Sequence, residues 1–342
     1  MKAFIEETKL PFLLTPMAKG TLPDDHPQCV GSARSLALKD ADVIVLASAR
    51  LNWILHFGLP PRFRKGVKII QIENDPKEFH QNVKSEVILY GDCKNILAQL
   101  NEKNKSVKYA YDSGTEWWGK LNKKVSDNKK VSEEMYNDKT LPMSYYNSIY
   151  AVQKTLPKDC FIVSEGSNTM DIGRTILDNY LPKHRLDAGT FGTMGVGLAF
   201  AIAAQAVYPK KRVVLVIGDS AFGFSGMELE TMTRYHLPIT IVIINNNGIF
   251  TGIEQIEKDD SPLSIPITGL NPESKYEMMA EAFGGVGHSA KTPEEVESAM
   301  KLSLADDKLH LINVAIDPYG SKKPQEFAWL TKEEDKKPKA KM

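Results

Sequence analysis

The chain has 342 residues, of which 42% are hydrophobic, enough for a sizeable core and for two domains. Lys and Arg total 43, as do Asp and Glu, so no net charge attracts nucleic acid or an anionic membrane surface. Cys29, Cys93 and Cys160 follow no metal-binding or redox spacing, and we interpret them as reduced thiols of an intracellular protein.

Hydrophobic runs alternate with helical patterns along the whole chain. Several runs are continuous, which is typical of parallel strands covered by helices on both faces. This alternation predicts an α/β fold built from doubly wound parallel sheets. The predicted strands are Val43–Ala47, Val67–Ile72, Phe161–Ser164, Val213–Ile217, Ile239–Ile244 and Leu309–Ala315. The predicted helices are Tyr145–Thr155, Met170–Asp178, Met194–Val207, Gly226–His236, Lys275–Phe283 and Pro293–Leu304.

A change in composition marks the domain boundary. Residues 101–140 are rich in Lys, Asn, Ser and Asp, with Trp117 and Trp118 as the only strong apolar anchor. We therefore expect a smaller domain over 1–100, a linker over 101–140, a larger domain over 141–330, and a charged, disordered tail over 331–342.

The start of the chain is unusual for a doubly wound domain. Met1–Thr8 resembles the second half of a helix, and Leu10–Thr15 is predicted to be a strand leading into a turn at Gly20–Pro23. This pattern indicates a first domain that is incomplete at its N-terminus.

One uncharged stretch, Gly189–Tyr208, approaches the length of a membrane span. It contains four glycines together with Thr190, Thr193 and Gln205. A glycine-rich turn that leads into a buried, alanine-rich helix explains this composition better than a span.

Two polar clusters follow predicted strands of the larger domain. Gly218-Asp219-Ser220 ends the strand Val213–Ile217, and Asn245-Asn246-Asn247-Gly248 ends Ile239–Ile244. The carboxyl ends of parallel strands share one sheet edge, where α/β proteins bind ligands. Oxygen and amide groups suit a hard divalent cation and the phosphates that it bridges, Mg²⁺ or Mn²⁺ alike. An acidic helix cap is the alternative for Gly218-Asp219. Three consecutive asparagines at the end of an apolar strand are poor core residues, however, and their amides need polar partners.

Two other clusters allow both a binding and a structural interpretation. Gly192, Gly195 and Gly197 lie on either side of Met194. The glycines would allow the backbone, and Met194 an apolar side chain, to contact a heterocycle. The structural alternative is that the glycines allow close packing of a helix against a strand. Arg50 and Glu73 follow the first two strands and are candidates for a nucleotide's phosphate and ribose, or for structural salt bridges.

A nicotinamide dehydrogenase is a weaker alternative for the α/β pattern. It requires Gly-x-Gly-x-x-Gly directly after a strand. The cluster from Gly192 to Gly197 has different spacing and no strand immediately before it. Serine-hydrolase chemistry has little support either, because Ser164 and Ser167 form no nucleophile elbow.

These clusters resemble the fingerprint of thiamine-diphosphate-dependent enzymes, Gly-Asp-Gly followed some two dozen residues later by Asn-Asn. Serine at position 220 is typical of the branch that contains 2-hydroxyacyl-CoA lyases and oxalyl-CoA decarboxylases, and the lyases are the closer match. The resemblance covers nearly the whole chain. The further segments that carry it are Ala41–Leu46, Ala49–Pro61, Ser164–Gly166, Asn168–Arg174, Arg185–Gly195, Gly218–Glu228, Arg234-Tyr235 and Leu237-Pro238.

The resemblance implies a role for individual residues. Asp219, Asn246 and the Gly248 carbonyl are expected to ligate Mg²⁺. Ser220 and Ala221, next to Gly218, are expected to contact the diphosphate. The Gly192 carbonyl is expected to meet the exocyclic amine of the cofactor, and Met194 to hold the cofactor in its bent shape. Further assignments are Arg50 and Glu73 for an ADP activator, Lys322–Leu330 as a cover for the CoA substrate, and Phe250 where relatives commonly carry a tyrosine.

The same resemblance implies a domain that this sequence lacks. Relatives begin with a pyrimidine-binding domain whose glutamate activates the cofactor. No residue here takes that catalytic role. The chain is then an incomplete gene product, a half-enzyme that needs a separate pyrimidine-domain chain, or a retired enzyme kept as a binding protein, and we favour the first. A homo-oligomer of this chain would hold diphosphate and metal but lack the activating glutamate. The expected parent reaction cleaves a 2-hydroxyacyl-CoA into formyl-CoA and a shortened aldehyde, in peroxisomal α-oxidation of fatty acids; oxalyl-CoA decarboxylation is the alternative. Ala340-Lys341-Met342 resembles a peroxisomal address, with the cytoplasm as the alternative.

Overall fold

The structure, a computed structural model, describes residues 1–250, 265–272 and 274–320. Within these ranges the chain forms a three-stranded and a six-stranded sheet, both parallel and flanked by helices. The strands are β1 Val43–Ala47, β2 Lys68–Glu73, β3 Ser85–Tyr90, β4 Phe161–Glu165, β5 Arg185–Asp187, β6 Val213–Gly218, β7 Ile239–Asn245, β8 Val286–Ala290 and β9 His310–Ala315. The α-helices are α1 Lys2–Thr8, α2 Arg34–Asp40, α3 Cys93–Val107, α4 Glu116–Tyr136, α5 Tyr145–Gln153, α6 Ser167–Ile176, α7 Gly197–Val207, α8 Asp219–Phe222, α9 Glu228–Arg234, α10 Glu277–Ala282 and α11 Pro293–Ala305.

The smaller sheet has the order β1-β2-β3. The predicted bounds of β1 are confirmed, and β2 is shifted by one residue relative to its prediction. The sequence analysis did not predict β3, although Val87–Tyr90 is a hydrophobic run; the structure places it at the edge of the sheet with most of its side chains exposed. The predicted strand Leu10–Thr15 was wrong, because its only sheet-like contact is an isolated bridge from Phe12 to Cys29.

The region predicted as a linker, 101–140, is mostly helical. α3 extends into it, and α4 crosses it with one buried stripe that includes Trp118 and Leu121. This stripe packs against Val30 and Ala33 of the smaller unit. The many charges of the region lie on the other faces of these helices, which is why its composition resembles a linker. The predicted tail 331–342 lies outside the described residues.

The larger sheet has the order β5-β4-β6-β7-β9-β8 and lies between two layers of helices. Along β6, Val214 and Val216 face a core formed with α5, α6 and α11, whereas Leu215 and Ile217 face a core formed with α7, α9 and α10. Burial on both faces explains why the central strands are continuous hydrophobic runs. The short β5 and the glycine- and polar-rich β8 carry no such run and were missed.

The strand order changes direction between β4 and β6, because β5 lies on one side of β4 and β6 on the other. In open α/β sheets such a switch point leaves a crevice at the carboxyl ends of the strands. The uncharged stretch examined as a membrane span forms only the eleven-residue helix α7 and the turns before it. No helix in the described part of the chain is long and apolar enough to cross a membrane.

The two units meet at a short segment near Gly20. Lys19 Nζ donates to the Arg174 carbonyl at 2.7 Å, and the Asn179 N–H donates to Asp24 Oδ2 at 2.7 Å. Gly20 has φ +84°, and a Cβ atom there would lie 2.0 Å from the Leu181 carbonyl oxygen. The segment therefore requires a residue without a side chain at position 20.

We expect Gly20→Ala to destabilise the protein more than Gly66→Ala does. Gly66 has a similar φ of +78° but nothing within 4 Å of a Cβ atom. Both variants incur the cost of a left-handed backbone, about 1 kcal/mol, and only Gly20→Ala adds a clash with backbone. Urea unfolding of both variants measures the difference. Equal urea midpoints for the two variants would show that the backbone near Leu181 moves to accommodate the new Cβ without loss of stability.

Two histidines without an assigned role in the sequence form a pair at the far end of the larger sheet. His288 Nε2 lies 2.9 Å from His310 Nδ1, and His310 Nε2 lies 3.2 Å from Asp306 Oδ2. Burial lowers the pKa of both imidazoles, and their proximity lowers that of His288 further. Asp306 raises the pKa of His310, whereas the positive charges of Lys308 and Arg212 lower it further. Glu281 raises the pKa of His288.

We expect this pair to make stability depend on pH. The unfolded chain takes up protons near pH 6.5 and the folded pair resists them, so stability falls as the pH drops below that value, by about 1.4 kcal/mol for each unit of lowered pKa. His288→Phe should reduce the loss of unfolding free energy between about pH 8 and about pH 5. His236→Gln, at an exposed position, is the control and should leave it unchanged. An equal loss of unfolding free energy in the unmodified protein, His288→Phe and His236→Gln would show that the histidine pair does not cause the pH dependence.

Candidate active site

The polar clusters predicted from the sequence lie at the carboxyl edge of the larger sheet, beside the switch point. β4 ends at Glu165 and β6 at Gly218, and these strands are direct neighbours. Gly166, with φ +101°, follows β4, and a Cβ atom there would lie 3.2 Å from the Gly218 nitrogen. A glycine at position 166 thus lets the two strand ends approach closely.

Asp219 is the first residue after β6, and its side chain is buried. Its Oδ1 accepts a hydrogen bond from the Ser220 N–H at 2.8 Å, and its Oδ2 accepts one from the Gly248 N–H at 3.1 Å. Burial raises the pKa of Asp219 to about 6, and the hydrogen bonds from backbone N–H groups oppose that rise. A buried carboxylate whose charge is balanced mainly by backbone dipoles is suited to a divalent cation.

The three asparagines at the end of β7 have different contacts. Asn245 is structural, because its Nδ2 donates to Asn313 Oδ1 at 3.2 Å and its Oδ1 accepts from the Asn247 N–H at 3.0 Å. Asn246 is buried and donates through Nδ2 to the Phe250 carbonyl at 3.1 Å. Asn247 has φ 59°, and its Oδ1 is buried without a hydrogen-bond partner in the described part of the chain.

These residues fit a metal ion bound by oxygen atoms. The Asp219 carboxylate accepts a hydrogen bond from the Gly248 N–H. The Asn247 Oδ1, between Asn246 and Gly248, is buried and has no partner among the described residues. No group of three His, Cys, Asp or Glu side chains suited to a metal occurs among the described residues. A ligand set of one carboxylate, one carboxamide and one backbone carbonyl is compatible with that finding.

The residues predicted to contact a diphosphate are less open than expected. The Ser220 N–H is already bonded to Asp219, and the Ala221 side chain is buried in the core. The predicted helix Gly226–His236 corresponds to α9, Glu228–Arg234, and a separate four-residue helix, α8, precedes it. Helix α8 has only four residues, because the chain turns at Gly223–Met227. Such a short helix has a small dipole and contributes little to anion binding.

The glycine segment, residues 188–196, lies between β5 and α7. Gly192 and Gly195 adopt left-handed backbone, with φ 61° and 85°. The helix predicted to begin at Met194 begins at Gly197 instead, because the preceding glycines leave the helical region. A Cβ atom on Gly195 would lie 3.1 Å from Phe224 Cβ, which places the segment against the turn that follows α8. The structure thus brings the glycine segment and the Asp219 turn together.

Three aromatic and amide groups beside Asp219 were not singled out by the sequence. Burial, and secondarily the Asp219 carboxylate, raises the pKa of Tyr145 and of Tyr276. Asn168 Nδ2 donates to the Phe250 carbonyl at 2.7 Å, so Asn168 and Asn246 hold the same oxygen. Glu165 was quoted only as part of a motif, although a buried acid directly after a hydrophobic strand is the same signal that identified Asp219.

The candidate nucleotide residues of the smaller unit do not pair with each other. Glu73 ends β2, and its Oε1 accepts from the Asn74 N–H at 2.8 Å. Arg50 lies after β1 and is 4.0 Å from Glu78, with half of its side chain exposed. This contact corresponds to the structural alternative for Arg50, while both residues do lie at the carboxyl edge of their sheet. The predicted CoA-covering segment, Lys322–Leu330, lies outside the described residues.

The fold and this site define a class of protein. Residues 1–100 match the thiamine pyrophosphate enzyme central domain, and residues 165–314 match the thiamine pyrophosphate enzyme C-terminal TPP binding domain. The chain belongs to the thiamine pyrophosphate enzyme family. The predicted two-sheet α/β architecture agrees with these two domains.

Individual members of this family are similar to the chain over nearly its whole length. The chain is 52% identical over 343 residues to human 2-hydroxyacyl-CoA lyase 1, covering 97% of this chain and 59% of that protein. It is 50% identical over 343 residues to mouse 2-hydroxyacyl-CoA lyase 1, with the same coverage of 97% and 59%. Oxalyl-CoA decarboxylase of Escherichia coli K12 is 39% identical over 328 residues, covering 93% of this chain and 56% of that protein. The chain therefore spans about three fifths of the length of these relatives.

Proposed function

We propose that this chain is the metal- and diphosphate-binding part of a thiamine-diphosphate-dependent lyase. In this proposal the lyase cleaves a 2-hydroxyacyl-CoA into formyl-CoA and an aldehyde shortened by one carbon. The observation that carries the proposal is the contact of buried Asp219 with Gly248 at the switch point, beside the glycine segment. The higher identity to the lyases than to the decarboxylase favours lyase over decarboxylase activity.

In this proposal Asp219, Asn246 and the Gly248 carbonyl would hold Mg²⁺, which would supply positive charge to neutralise the diphosphate. The Ser220 side chain lies beside that diphosphate, next to Gly218 and Ala221. The Gly192 carbonyl accepts a hydrogen bond from the aminopyrimidine, and Met194 supports the ring. Thiamine diphosphate, when bound, supplies the electron sink for the carbon–carbon bond that breaks.

The activating glutamate is proposed to come from a pyrimidine-binding domain outside these 342 residues. Four large apolar side chains around the site support a partner surface there: Phe191 is 96% exposed, Phe224 68%, Met227 67% and Met194 38%. Exposed apolar groups at such density mark interaction sites. The partner is either that domain or a second copy of this chain.

Two further assignments belong to the same proposal. Arg50 and Glu73 bind an ADP activator in the smaller domain, at the carboxyl edge of its sheet. Ala340-Lys341-Met342 directs the protein to peroxisomes, where the lyase reaction belongs to fatty acid α-oxidation. Such an address acts only at a free C-terminus, so masking it with a C-terminal tag tests the assignment by microscopy.

The proposal is tested by titrating thiamine diphosphate with Mg²⁺ into the protein, and by assaying formyl-CoA release from a 2-hydroxyacyl-CoA with oxalyl-CoA in parallel. We expect cofactor binding, and cleavage only when a pyrimidine-binding domain is added. Cleavage by this chain alone would overturn the external glutamate. Absence of cofactor binding would overturn the function itself. Turnover of oxalyl-CoA in place of the hydroxyacyl substrate would favour the decarboxylase.

A further inference from the structure

Glu165 is a completely buried carboxylate that the proposed reaction does not use. It ends β4, and both of its oxygens point into the glycine segment and the start of α7. One oxygen accepts from the Gly195 N–H and the other from the Gly197 N–H. A buried carboxylate with both oxygens bonded to backbone holds that backbone firmly, because Glu165 and Gly197 are buried and Gly195 is only partly exposed to water.

The approach of Glu165 depends on the absence of a side chain at position 197. A Cβ atom on Gly197 would lie 2.6 Å from Glu165 Oε2. Helix α7 has Val196 at its N-cap, and this residue offers no side-chain acceptor to the first turn. Glu165 supplies that acceptor from the neighbouring strand, which satisfies amide groups that the helix itself leaves unpaired.

The other end of the glycine segment is held in the same way. Asp187, the last residue of β5, accepts from the Gly189 N–H through Oδ1 at 2.9 Å. Its Oδ2 lies 3.3 Å from Arg185 Nε and 3.5 Å from Arg174. Two carboxylates, each at the end of an adjacent strand, thus fix the two ends of a segment whose glycines would otherwise leave it free to move.

We propose that Glu165 is a positioning residue that sets the location of the Gly192 carbonyl and Met194 relative to the metal site. The inference rests on the proposed function for the identity of the ligand, because these two groups are expected to meet the aminopyrimidine ring. Glu165 is the last residue of β4, and Asp219 follows the neighbouring strand β6. The same sheet edge therefore sets the distance between the glycine segment, held by Glu165, and the proposed metal site at Asp219. The alternative role is helix capping alone, which affects stability without affecting which part of the ligand binds.

Glu165→Gln is the first test. The carboxamide NH₂ replaces one acceptor, and an amide N–H of the segment loses its partner. Hydrogen exchange of the protein without ligand should become about tenfold faster in residues 188–197, since the loss of such a bond changes local opening by about that factor. Ser164→Ala is the matched control, because it removes a buried hydroxyl without a partner among the described residues from the preceding position of β4. It should leave exchange in that segment unchanged.

Titration with two ligands separates positioning from capping. In Glu165→Gln the affinity for thiamine diphosphate with Mg²⁺ should fall about tenfold, while the affinity for inorganic diphosphate with Mg²⁺ stays the same. Equal losses for both ligands, or a loss of thermal stability alone, would show that Glu165 only caps α7 and would overturn the proposal.

Gly197→Ala is the second variant, should Glu165→Gln fail to fold. Alanine favours a helix over glycine, so the helical propensity of α7 is not reduced. The new Cβ would lie 2.6 Å from Glu165 Oε2 and 3.1 Å from Leu215 Cδ1, and the closer of these contacts displaces Glu165. It should reproduce both the faster exchange and the selective loss. Unchanged exchange in both variants would overturn the inference. Faster exchange in a protein that binds no cofactor would retain the anchoring by Glu165 and overturn the proposed function instead.

Discussion

Replacing Asp219 with alanine is expected to abolish Mg²⁺-dependent binding of thiamine diphosphate, with an affinity loss of at least about 100-fold. Loss of an outer partner of a metal ligand already costs up to about that factor, and Asp219 is the only carboxylate in the expected ligand set. Calorimetric titration in the presence and absence of Mg²⁺ measures the change. The fold should persist, because Asp219 forms no salt bridge with any of the described residues and its side chain is bonded there to the N–H groups of Ser220 and Gly248.

Asp159→Ala is the matched control for this prediction. Asp159 lies just before β4, at the opposite edge of the same sheet, and pairs on the surface with Lys211 at 2.6 Å. Removing such an exposed carboxylate leaves the metal site intact and costs less than about 1 kcal/mol of stability. Asp219→Ala with cofactor affinity equal to that of the control would remove Asp219 from the ligand set.

Phe222→Ala is expected to lower the free energy of unfolding by about 3–5 kcal/mol. Phe222 follows Asp219 by three residues, is 1% exposed, and packs edge-on against Tyr276 with ring centroids 5.8 Å apart. Its ring also contacts Gly226, where a Cβ atom would lie 3.0 Å from Phe222 Cε1. Truncation leaves a cavity directly beneath the turn that carries Asp219, so we expect weaker cofactor binding as well.

Phe224→Ala distinguishes this packing effect from a general effect of truncating an aromatic residue in the same turn. Phe224 is 68% exposed, and its truncation should change the unfolding free energy by less than about 0.5 kcal/mol. Urea unfolding of both variants gives the comparison. Similar midpoints for Phe222→Ala and the unmodified protein would mean that the core relaxes around the lost ring.

The central part of the larger sheet was predictable from the sequence because its strands are buried on both faces. β4, β6, β7 and β9 are predominantly hydrophobic, with few polar positions such as Asn313 in β9, and each was predicted within one or two residues. β3 was missed although Val87–Tyr90 is a hydrophobic run. The edge strands β5 and β8 were not predicted, since one is three residues long and the other is rich in glycine and polar residues. Helix α4 was missed for a related reason, because one buried stripe carrying Trp118 is hidden among charged residues.

The candidate site was predictable where polar residues interrupt hydrophobic runs. That signal identified Asp219 and the asparagine run, and the structure places Asp219 in contact with Gly248. It could not show that Asn245 turns away to bond Asn313, or that Ser220 donates to Asp219, because these depend on side-chain direction. The pairing of Glu165 with the glycine segment joins residues about thirty positions apart, which no local pattern reveals.

The alternating burial along β6 relates the direction of the Asp219 side chain to packing on both sides of the sheet. Because side chains at even and odd positions enter different cores, a slip of one residue would exchange every contact of the strand and turn Asp219 away from Gly248. The direction of this carboxylate is therefore fixed by valines and isoleucines that touch no ligand. Insertions or deletions inside β6 should be excluded from functional variants of this chain, whereas substitutions among aliphatic residues of similar volume should be accepted there.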